Sequence, residues 1–365
     1  MARDTTNQAR TQGRPTLQTI ADRLKISRAT VSNAYSRPDQ LTAELREKIF
    51  EVAREIGYAG PNPAARKLRR GRTDTIGVLF TEELTFAFSD PAAVTLLRGV
   101  SEVLSSRDLG LLLLPSPPGA EKRASTILDA AVDGFIVYCM PDDDDRYHHL
   151  MDRRLPTVMV DEHRTHETAF VGIDDRGGAR SVAEHLLALG HRRFGVVTDR
   201  LKPDNHAGYA DIERQRTATF GVNLERLGGY ADALEAAGIP WEPVPVIEDF
   251  PISPETGARC AQALLDREEP PTAIICTSDQ MALGVLEAAR SRGIDVPGTV
   301  SVAGFDDIDE AARISPGLTT VRQPLLEKGR AAGRLILDEW DPASPPTVTL
   351  PTELIIREST GPVSI

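Results

Sequence analysis

Residues 27–33 carry side chains of the kinds that recognise nucleic acid. Arg28 can pair with both acceptors of a guanine, Asn33 can pair with an adenine, and the methyl group of Ala29 can touch a thymine. Short hydroxyl donors suited to phosphate oxygens stand in and near this segment: Thr16, Ser27, Thr30 and Ser32. The segment therefore predicts a surface that reads base edges while the neighbouring hydroxyls hold the nucleic-acid backbone.

Helix signals place this segment on the second helix of a three-helix unit. Thr16 is a good N-cap for a helix over 17–24, Ser27 for one over 28–35, and Thr42 for a third helix behind them. Two short helices joined by a tight turn and supported by a third describe a helix-turn-helix, whose second helix enters the major groove. The alternative is a plain three-helix bundle in which the polar helix is only solvated.

The charge distribution favours a polyanionic partner for the N-terminal part alone. Residues 1–72 carry 15 Lys or Arg and 7 Asp or Glu, a net charge of +8, whereas the remainder carries −20 and the whole chain −12. A small basic head on a large acidic body is expected to bind nucleic acid through the head and to keep the body away from it.

The basic segment 61–73 begins with helix-starting signals. Asn62 is a candidate N-cap, and Ala65 and Leu68 share one face of a two-turn helix. Because such a helix is shorter than the roughly 12–15 residues needed for marginal stability, we predict that it forms only when two copies pack together on DNA. Leu68 would then be an apolar wedge in the minor groove, with Arg66 close to a phosphate. The alternative is a flexible basic linker that never orders.

The N-terminal sequence is similar to that of a known family. The run TLQTIADRLKISRATVSNAYSRPDQLTAELREKIFEVAREIGYAGPNPAARKL resembles the start of the lactose-repressor (LacI/GalR) regulators. The resemblance implies base reading by Arg28, Ala29 and Asn33, and a hinge-helix wedge at Leu68 placed at a central CpG step. Two positions depart from the family pattern: Lys25 replaces the usual turn glycine, and Gly60 is an extra residue before the hinge.

From residue 75 onward, short apolar runs alternate with amphipathic helical stretches. Eight runs predict buried strands: 75–80, 110–114, 134–139, 157–160, 194–198, 244–247, 272–276 and 300–304. This alternation predicts parallel sheets covered by helices, and about eight strands over nearly 290 residues suit two sheets better than one.

The resemblance continues through this region in three runs, VGIDDRGGARSVAEHLLALGHRRFGVV, TAIICTSDQMALGVLEAARSRGIDVPGTVSVAGFDDIDEA and LTTVRQP. It implies a fold class with an all-α helix-turn-helix head and an α/β periplasmic-binding-protein-like core of two doubly wound subdomains. We expect a disordered tail over 1–14, the helix-turn-helix domain over 15–60, the hinge over 61–73 and the effector-binding and dimerisation core over 74–365. The core is expected to divide into an N-subdomain over about 74–173 and 306–321 and a C-subdomain over about 174–305 and 322–365, with chain crossings near Asp174, Asp306 and Val321.

A small ligand is expected in the cleft between the subdomains, since sites in doubly wound sheets lie beyond the carboxyl ends of the strands. The resemblance matches Asp306 to a pocket aspartate, Arg226 to an arginine that clamps hydroxyls or a carboxylate, and Ser278 to the place of a usual Asn. The resemblance also carries over four further candidates: Ser89 and Asp90 after the first strand, Asp161 after the strand at 157–160, and Phe250 as an aromatic platform. Carboxylates with an arginine suit a polyhydroxylated effector, so a sugar is the leading prediction. The alternative is a corepressor-dependent protein that senses a nucleoside or another metabolite.

Other functional classes lack support in the sequence. A P-loop, G-x-S-x-G and H-E-x-x-H are absent, so no enzyme activity and no cofactor are expected, and we read the acidic run at 142–145 beside two histidines as a solvated loop rather than a metal site. The polar N-terminus and the absence of a long apolar run argue against a secreted solute-binding protein or a membrane protein, and three scattered cysteines suit a reducing compartment. We expect a cytoplasmic, nucleoid-associated homodimer that binds double-stranded operator DNA and a small-molecule effector, with the dimer implied by the resemblance.

Overall fold

The computed structural model describes residues 15–60, 71–80, 82–116, 124–162, 165 and 167–364. The chain divides into two compact units at residues 73 and 74. The expected tail over 1–14 and most of the expected hinge, residues 61–70, lie outside the described residues.

The first unit is built from three short helices: α1 (Leu17–Leu24), α2 (Arg28–Ser36) and α3 (Ala43–Glu55). Each helix begins at a hydroxyl side chain that accepts a backbone N–H, with Thr16, Ser27 and Thr42 bonded to the amides three residues later. One apolar face of each helix supplies a small core of Ile20, Ala21, Val31, Ala34, Ile49 and Ala53. The α1–α2 turn is made with Lys25 in the left-handed region at φ 52°, a conformation that glycine adopts at less cost.

The second unit contains thirteen strands and eleven helices within its described residues. The strands are β1 (Thr75–Phe80), β2 (Gly110–Pro115), β3 (Phe135–Tyr138), β4 (Thr157–Val160), β5 (Ala169–Ile173), β6 (Phe194–Thr198), β7 (Gly208–Tyr209), β8 (Val246–Glu248), β9 (Ala273–Cys276), β10 (Ser301–Ala303), β11 (Thr320–Arg322), β12 (Thr347–Leu350) and β13 (Glu353–Ile355). The helices are α4 (Phe86–Ser89), α5 (Pro91–Ser105), α6 (Ala124–Asp129), α7 (Arg146–Asp152), α8 (Asp175–Ala188), α9 (Ile212–Arg216), α10 (Gly221–Ala236), α11 (Pro254–Leu265), α12 (Asp279–Ser291), α13 (Asp309–Arg313) and α14 (Leu325–Leu335).

Two sheets organise this unit. A parallel six-stranded sheet has the order β12-β5-β4-β3-β1-β2, and a five-stranded sheet has the order β10-β9-β6-β8-β7 with only β7 antiparallel. Strands β11 and β13 form a separate antiparallel pair, and next to each of them the chain crosses from one sheet to the other. We call the residues around the six-stranded sheet, 74–173 and 325–350, the first half, and those around the five-stranded sheet, 175–322 and 353–364, the second half.

The predicted subdomain boundaries need correction after residue 305. Strand β12 pairs with β5, and α14 packs on α5, so residues 325–350 belong to the first half rather than to the C-subdomain. Residues 306–321 stay with the second half, where Ala303 bridges to Thr319. The chain therefore crosses near residues 174, 323 and 351, because the last helix and strand complete the first sheet before the chain returns.

Glycines allow the long helices to approach closely. A Cβ on Gly99 of α5 would overlap the carbonyl oxygen of Leu326, and one on Gly329 of α14 would overlap that of Leu96. The pair α11 and α12 repeats this arrangement at Gly284, whose Cβ would overlap the carbonyl of Pro254. Because interiors are close-packed, even one methyl group at these contacts would push the helices apart.

Candidate functional site

A cleft between the two halves collects polar side chains from the carboxyl ends of strands in both sheets. The cavity left between these side chains is small, about 90 Å³. Six of the seven expected effector residues line it: Asp90, Asp161, Arg226, Phe250, Ser278 and Asp306. Ser89 does not line it, because it is exposed at the end of α4. The neighbouring Asp90 is buried and accepts the amide of Ala93 at 2.9 Å as the N-cap of α5.

Arg226 is the buried cation at the base of the cleft. Its Nε donates to Asp175 Oδ1 at 2.8 Å, and its Nη1 donates to the carbonyl of Thr277 at 2.6 Å and lies 3.9 Å from Asp306 Oδ1. Its guanidinium also lies 3.7 Å from the ring centroid of Phe305. Burial alone would lower the pKa of Arg226, but Asp175 and Asp306 together raise it above its ordinary value. The guanidinium therefore remains charged and is held in one orientation.

Asp306 is held on the opposite side of this cation by the crossing segment. Its backbone has φ 124°, which costs a non-glycine residue about 1–3 kcal/mol and persists only where surrounding contacts enforce it. Gln323 Nε2 donates to Asp306 Oδ1 at 2.6 Å. Burial raises the pKa of Asp306 well above its ordinary value, and the charge of Arg226 partly opposes that shift.

Asp161 is paired with a lysine that approaches from behind the cleft. Lys328 on α14 is fully buried, and its Nζ lies 2.6 Å from Asp161 Oδ1. The same ammonium group also donates to Gln323 Oε1. One chain of hydrogen bonds therefore runs from Asp161 through Lys328 and Gln323 to Asp306, and it positions both carboxyl groups.

The expected aromatic platform is covered in this structure. The guanidinium of Arg200 lies 3.9 Å from the ring centroid of Phe250 and 5.1 Å from that of Phe220. Arg200 also forms an ion pair with Glu82 of the first half. Burial lowers the pKa of Arg200 to about 10, so this side chain stays a cation at neutral pH.

Ser278 lines the cleft as a helix cap. Its Oγ accepts the amide of Met281 at 3.3 Å and begins α12. The hydroxyl retains a hydrogen to donate, whereas the usual amide at this place would offer two donors.

Two lining residues, Asp199 and Asn223, were not among the predicted effector residues, and the tertiary structure brings them together. Asp199 follows β6, and Asn223 on α10 donates both to its carboxylate and, at 2.9 Å, to the carbonyl of Arg200. Burial raises the pKa of Asp199 to about 6, and the Asn223 hydrogen bond opposes that shift. The available signals were the position of Asp199 after a strand and the spacing of Asn223 one helical turn before Arg226.

The first unit presents the expected base-reading residues on one helix. Arg28 and Ala29 are exposed on α2, Asn33 is half-buried, and Val31 and Ala34 pack inward. The expected phosphate contacts Thr16 and Ser27 are helix caps, and the Ser27 and Thr30 hydroxyls lie 2.8 Å apart. Ser32 is half-buried on the same helix. The expected hinge residues Asn62, Ala65, Arg66 and Leu68 lie outside the described residues.

The described part of the chain has neither a membrane-spanning helix nor a metal-binding cluster. No helix there is long and apolar enough to cross a bilayer. No group of three or more His, Cys, Asp or Glu side chains there is arranged to hold a metal ion.

Curated proteins and solved structures resemble this chain over nearly its full length. An HTH-type transcriptional regulator of Mycolicibacterium smegmatis is 42% identical over 357 residues, covering 96% of this chain and 97% of the relative. The HTH-type transcriptional regulator IpsA of Corynebacterium glutamicum is 38% identical over 331 residues, covering 89% and 91%. A crystal structure of a LacI-family transcriptional regulator from Corynebacterium glutamicum has a TM-score of 0.72 and 34% identity, covering 97% of this chain and all of that one.

Two further comparisons concern the core. Residues 183–360 match the model of a periplasmic binding protein-like domain. A complex of the transcriptional regulator CelR with cellobiose has a TM-score of 0.68 and 29% identity, covering 95% of this chain and 100% of that one. Together with the helix-turn-helix head and the two-sheet core, these likenesses show that the chain belongs to the LacI family of HTH-type transcriptional regulators, which are not enzymes.

Proposed function

We propose that this protein is a repressor that binds a pseudo-palindromic operator as a homodimer and is released by an uncharged, polyhydroxylated small molecule, most simply a sugar. Two-fold symmetry of the protein would be mirrored in the two half-sites of the operator. Such a protein acts in the cytoplasm, at the nucleoid. Effector binding would change the arrangement of the two halves and thereby the separation of the paired hinge segments.

The charge arrangement of the cleft is the observation that carries the effector class. Six carboxylates line it: Glu82, Asp90, Asp161, Glu162, Asp199 and Asp306. The two lining arginines already have partners, since Arg200 pairs with Glu82 and Arg226 pairs with Asp175. A carboxyl group keeps unused lone pairs beside its partner and can accept from a ligand hydroxyl, which favours a ligand rich in hydroxyl donors over a phosphate or carboxylate that brings only acceptor oxygens.

An operator-release screen tests this proposal. Full-length protein is bound to a fluorescent operator duplex, and anisotropy is followed as neutral sugars, sugar phosphates, uronates and nucleosides are added. Release by a neutral sugar but not by its phosphorylated form is expected. Release by a nucleoside, or tighter operator binding on adding any compound, would instead favour the alternative, a corepressor-dependent or nucleoside-sensing protein.

Arg28→Ala is expected to relax preference at one base pair in each half-site, at a cost of about 1–3 kcal/mol on the preferred base. The reason is that Arg28 is exposed on α2 and can take both guanine acceptors. Binding to duplexes with each base at each position measures this effect. An equal loss on every duplex would identify Arg28 as a phosphate contact instead.

Effector affinity is expected to increase as the pH rises through about 6, the value to which burial raises the pKa of Asp199. A ligand hydroxyl donates to the ionised carboxylate, so protonation below that pH weakens binding. The neighbouring groups Asn223, Arg226, Glu248 and Asp90 face the same carboxyl. Calorimetric titration of the releasing sugar between about pH 5 and pH 8 measures the profile.

Asp199→Asn should flatten that part of the profile, whereas the exposed control Asp143→Asn should retain it. Identical profiles for the parent protein and Asp199→Asn would remove Asp199 from the effector contacts.

A further inference from the structure

Two acidic side chains of the first half reach across the cleft to groups of the second half. Glu162 follows β4, and its carboxylate accepts the backbone N–H of Gly221 at 2.5 Å and of Val222 at 3.1 Å. Glu82 follows β1 and pairs with Arg200. Glu162 is 3% exposed, so its contacts are shielded from water.

Glu162 accepts hydrogen bonds from the first backbone amides of a helix that lacks a side-chain N-cap of its own. The N-cap position of α10 is Phe220, whose side chain makes no capping hydrogen bond. The first amides of a helix lack intrahelical partners, and a buried amide without a partner is costly. The first two amides of α10 therefore take their acceptor from the other half of the core.

The helix held in this way carries two residues of the cleft. Asn223 lies in its first turn and binds Asp199, and Arg226 lies one turn later beside Asp306. A third contact between the halves lies at the same edge, where the amide of Asp142 donates to the carbonyl of Thr219 at 2.9 Å. Arg200 adds the Glu82 pair while it covers Phe250.

We propose that Glu162 is a positioning residue that latches the first half onto the N-terminus of α10, with the Glu82–Arg200 pair as the second point of the latch. Opening the cleft breaks both hydrogen bonds of Glu162 and leaves the first two amides of α10 without their acceptor. The latch deepens the proposed function, on which its regulatory meaning rests, because the same closure would control access of the effector.

Each oxygen of the Glu162 carboxyl group accepts one of the two backbone amides. Burial raises the pKa of Glu162 well above its ordinary value; the two backbone amides oppose this shift, and Asp142 and Asp161 add to it. A side-chain amide offers one acceptor oxygen in place of two, and its NH₂ group can only donate. Glu162→Gln should therefore keep one of the two hydrogen bonds, whereas Glu162→Ala should remove both.

Hydrogen exchange of the full-length protein, without DNA or added sugar, tests the latch. With single-amide resolution by mass spectrometry, Glu162→Ala is expected to accelerate exchange about tenfold at Gly221 and Val222, and also at Asp142 in the other half. Glu162→Gln should keep the protection of the one amide that its oxygen still accepts, accelerate exchange at the other, and accelerate exchange at Asp142 less than Glu162→Ala does. The control Glu184→Ala removes an exposed acid that pairs with Arg180 on its own helix, and should change none of them.

Three outcomes would overturn the proposal. Acceleration confined to Gly221 and Val222 would make Glu162 a local cap, and acceleration spread through buried strand β6 would make it a general structural residue. The second variant, Glu82→Ala, leaves the cap of α10 in place and should also accelerate exchange at Asp142; an unchanged Asp142 in this variant would remove the second point of the latch. Because neither operator nor effector is used, failure here is separate from failure of the proposed function.

Discussion

Lys328→Met is expected to lower the free energy of unfolding of the core by about 3–5 kcal/mol. Methionine fills similar space without a charge, so the loss comes from leaving Asp161 buried without its cation. Lys328 is fully buried on α14 and also donates to Gln323, which in turn holds Asp306. Denaturant unfolding followed by far-ultraviolet circular dichroism measures the change.

A double-variant cycle separates this pair from general packing. Adding Asp161→Asn to Lys328→Met removes the stranded carboxylate and should recover much of the lost stability. The matched control Lys202→Met, at a half-buried site of the second half, should stay within about 0.5 kcal/mol of the parent protein. Equal, small effects of the two lysine variants would contradict the role given to the Lys328–Asp161 pair.

Leu68→Ala is expected to weaken specific operator binding by a few kcal/mol while leaving effector affinity nearly unchanged. An apolar wedge between base steps bends the duplex and lets more protein surface contact it, and alanine is too short to insert. Leu68 lies outside the described residues, so this prediction rests on the basic segment 61–73 and on its likeness to the family. Operator affinity by anisotropy and effector affinity by calorimetry measure the two effects separately.

Leu128→Ala is the matched control for Leu68→Ala. Leu128 is 46% exposed on the surface of the second unit, so its replacement should leave operator affinity unchanged. Unchanged operator affinity of Leu68→Ala would refute the wedge. An equal loss on operator and on random duplexes would assign the residue to general DNA binding.

The sequence predicts the head well because its signals are local. The hydroxyl caps at Thr16, Ser27 and Thr42 lie one turn before the amides that they accept, and the apolar spacing fixes which face is buried. The backbone conformation of Lys25, in contrast, has no such local signal in the sequence. Its left-handed backbone follows from the closure of the turn, which a lysine side chain does not signal.

The alternation of strands and helices in the core was predicted from the sequence, but the way in which the strands pair was not. Eight strands were expected, and the structure adds β5, β7, β11, β12 and β13, most of them only two to four residues long. The return of residues 325–350 to the first sheet depends on the pairing of β12 with β5, which lie far apart in sequence. Local propensity carries no information on such a long-range pairing.

The site shows the same division between local and tertiary information. Asp90 and Asp161 follow strands, whose ends meet at one edge of a sheet, and the family resemblance pointed to Asp306; all three line the cleft. Ser89, predicted in the same way, is exposed at the end of the short helix α4 and does not line the cleft in this structure. Glu162 and Asn223 were not among the predicted residues, because their roles arise only when α10 meets the other half of the core.

Selection from a randomised duplex library, with the full-length protein at near-physiological salt, would show whether this protein is a dimeric operator-binding repressor. We expect enrichment of a pseudo-palindrome with a central CpG step, since two heads and two hinge segments would meet on the DNA as symmetric copies. Failure to enrich any sequence, both alone and with pooled metabolites present as corepressors, would contradict a dimeric operator-binding repressor.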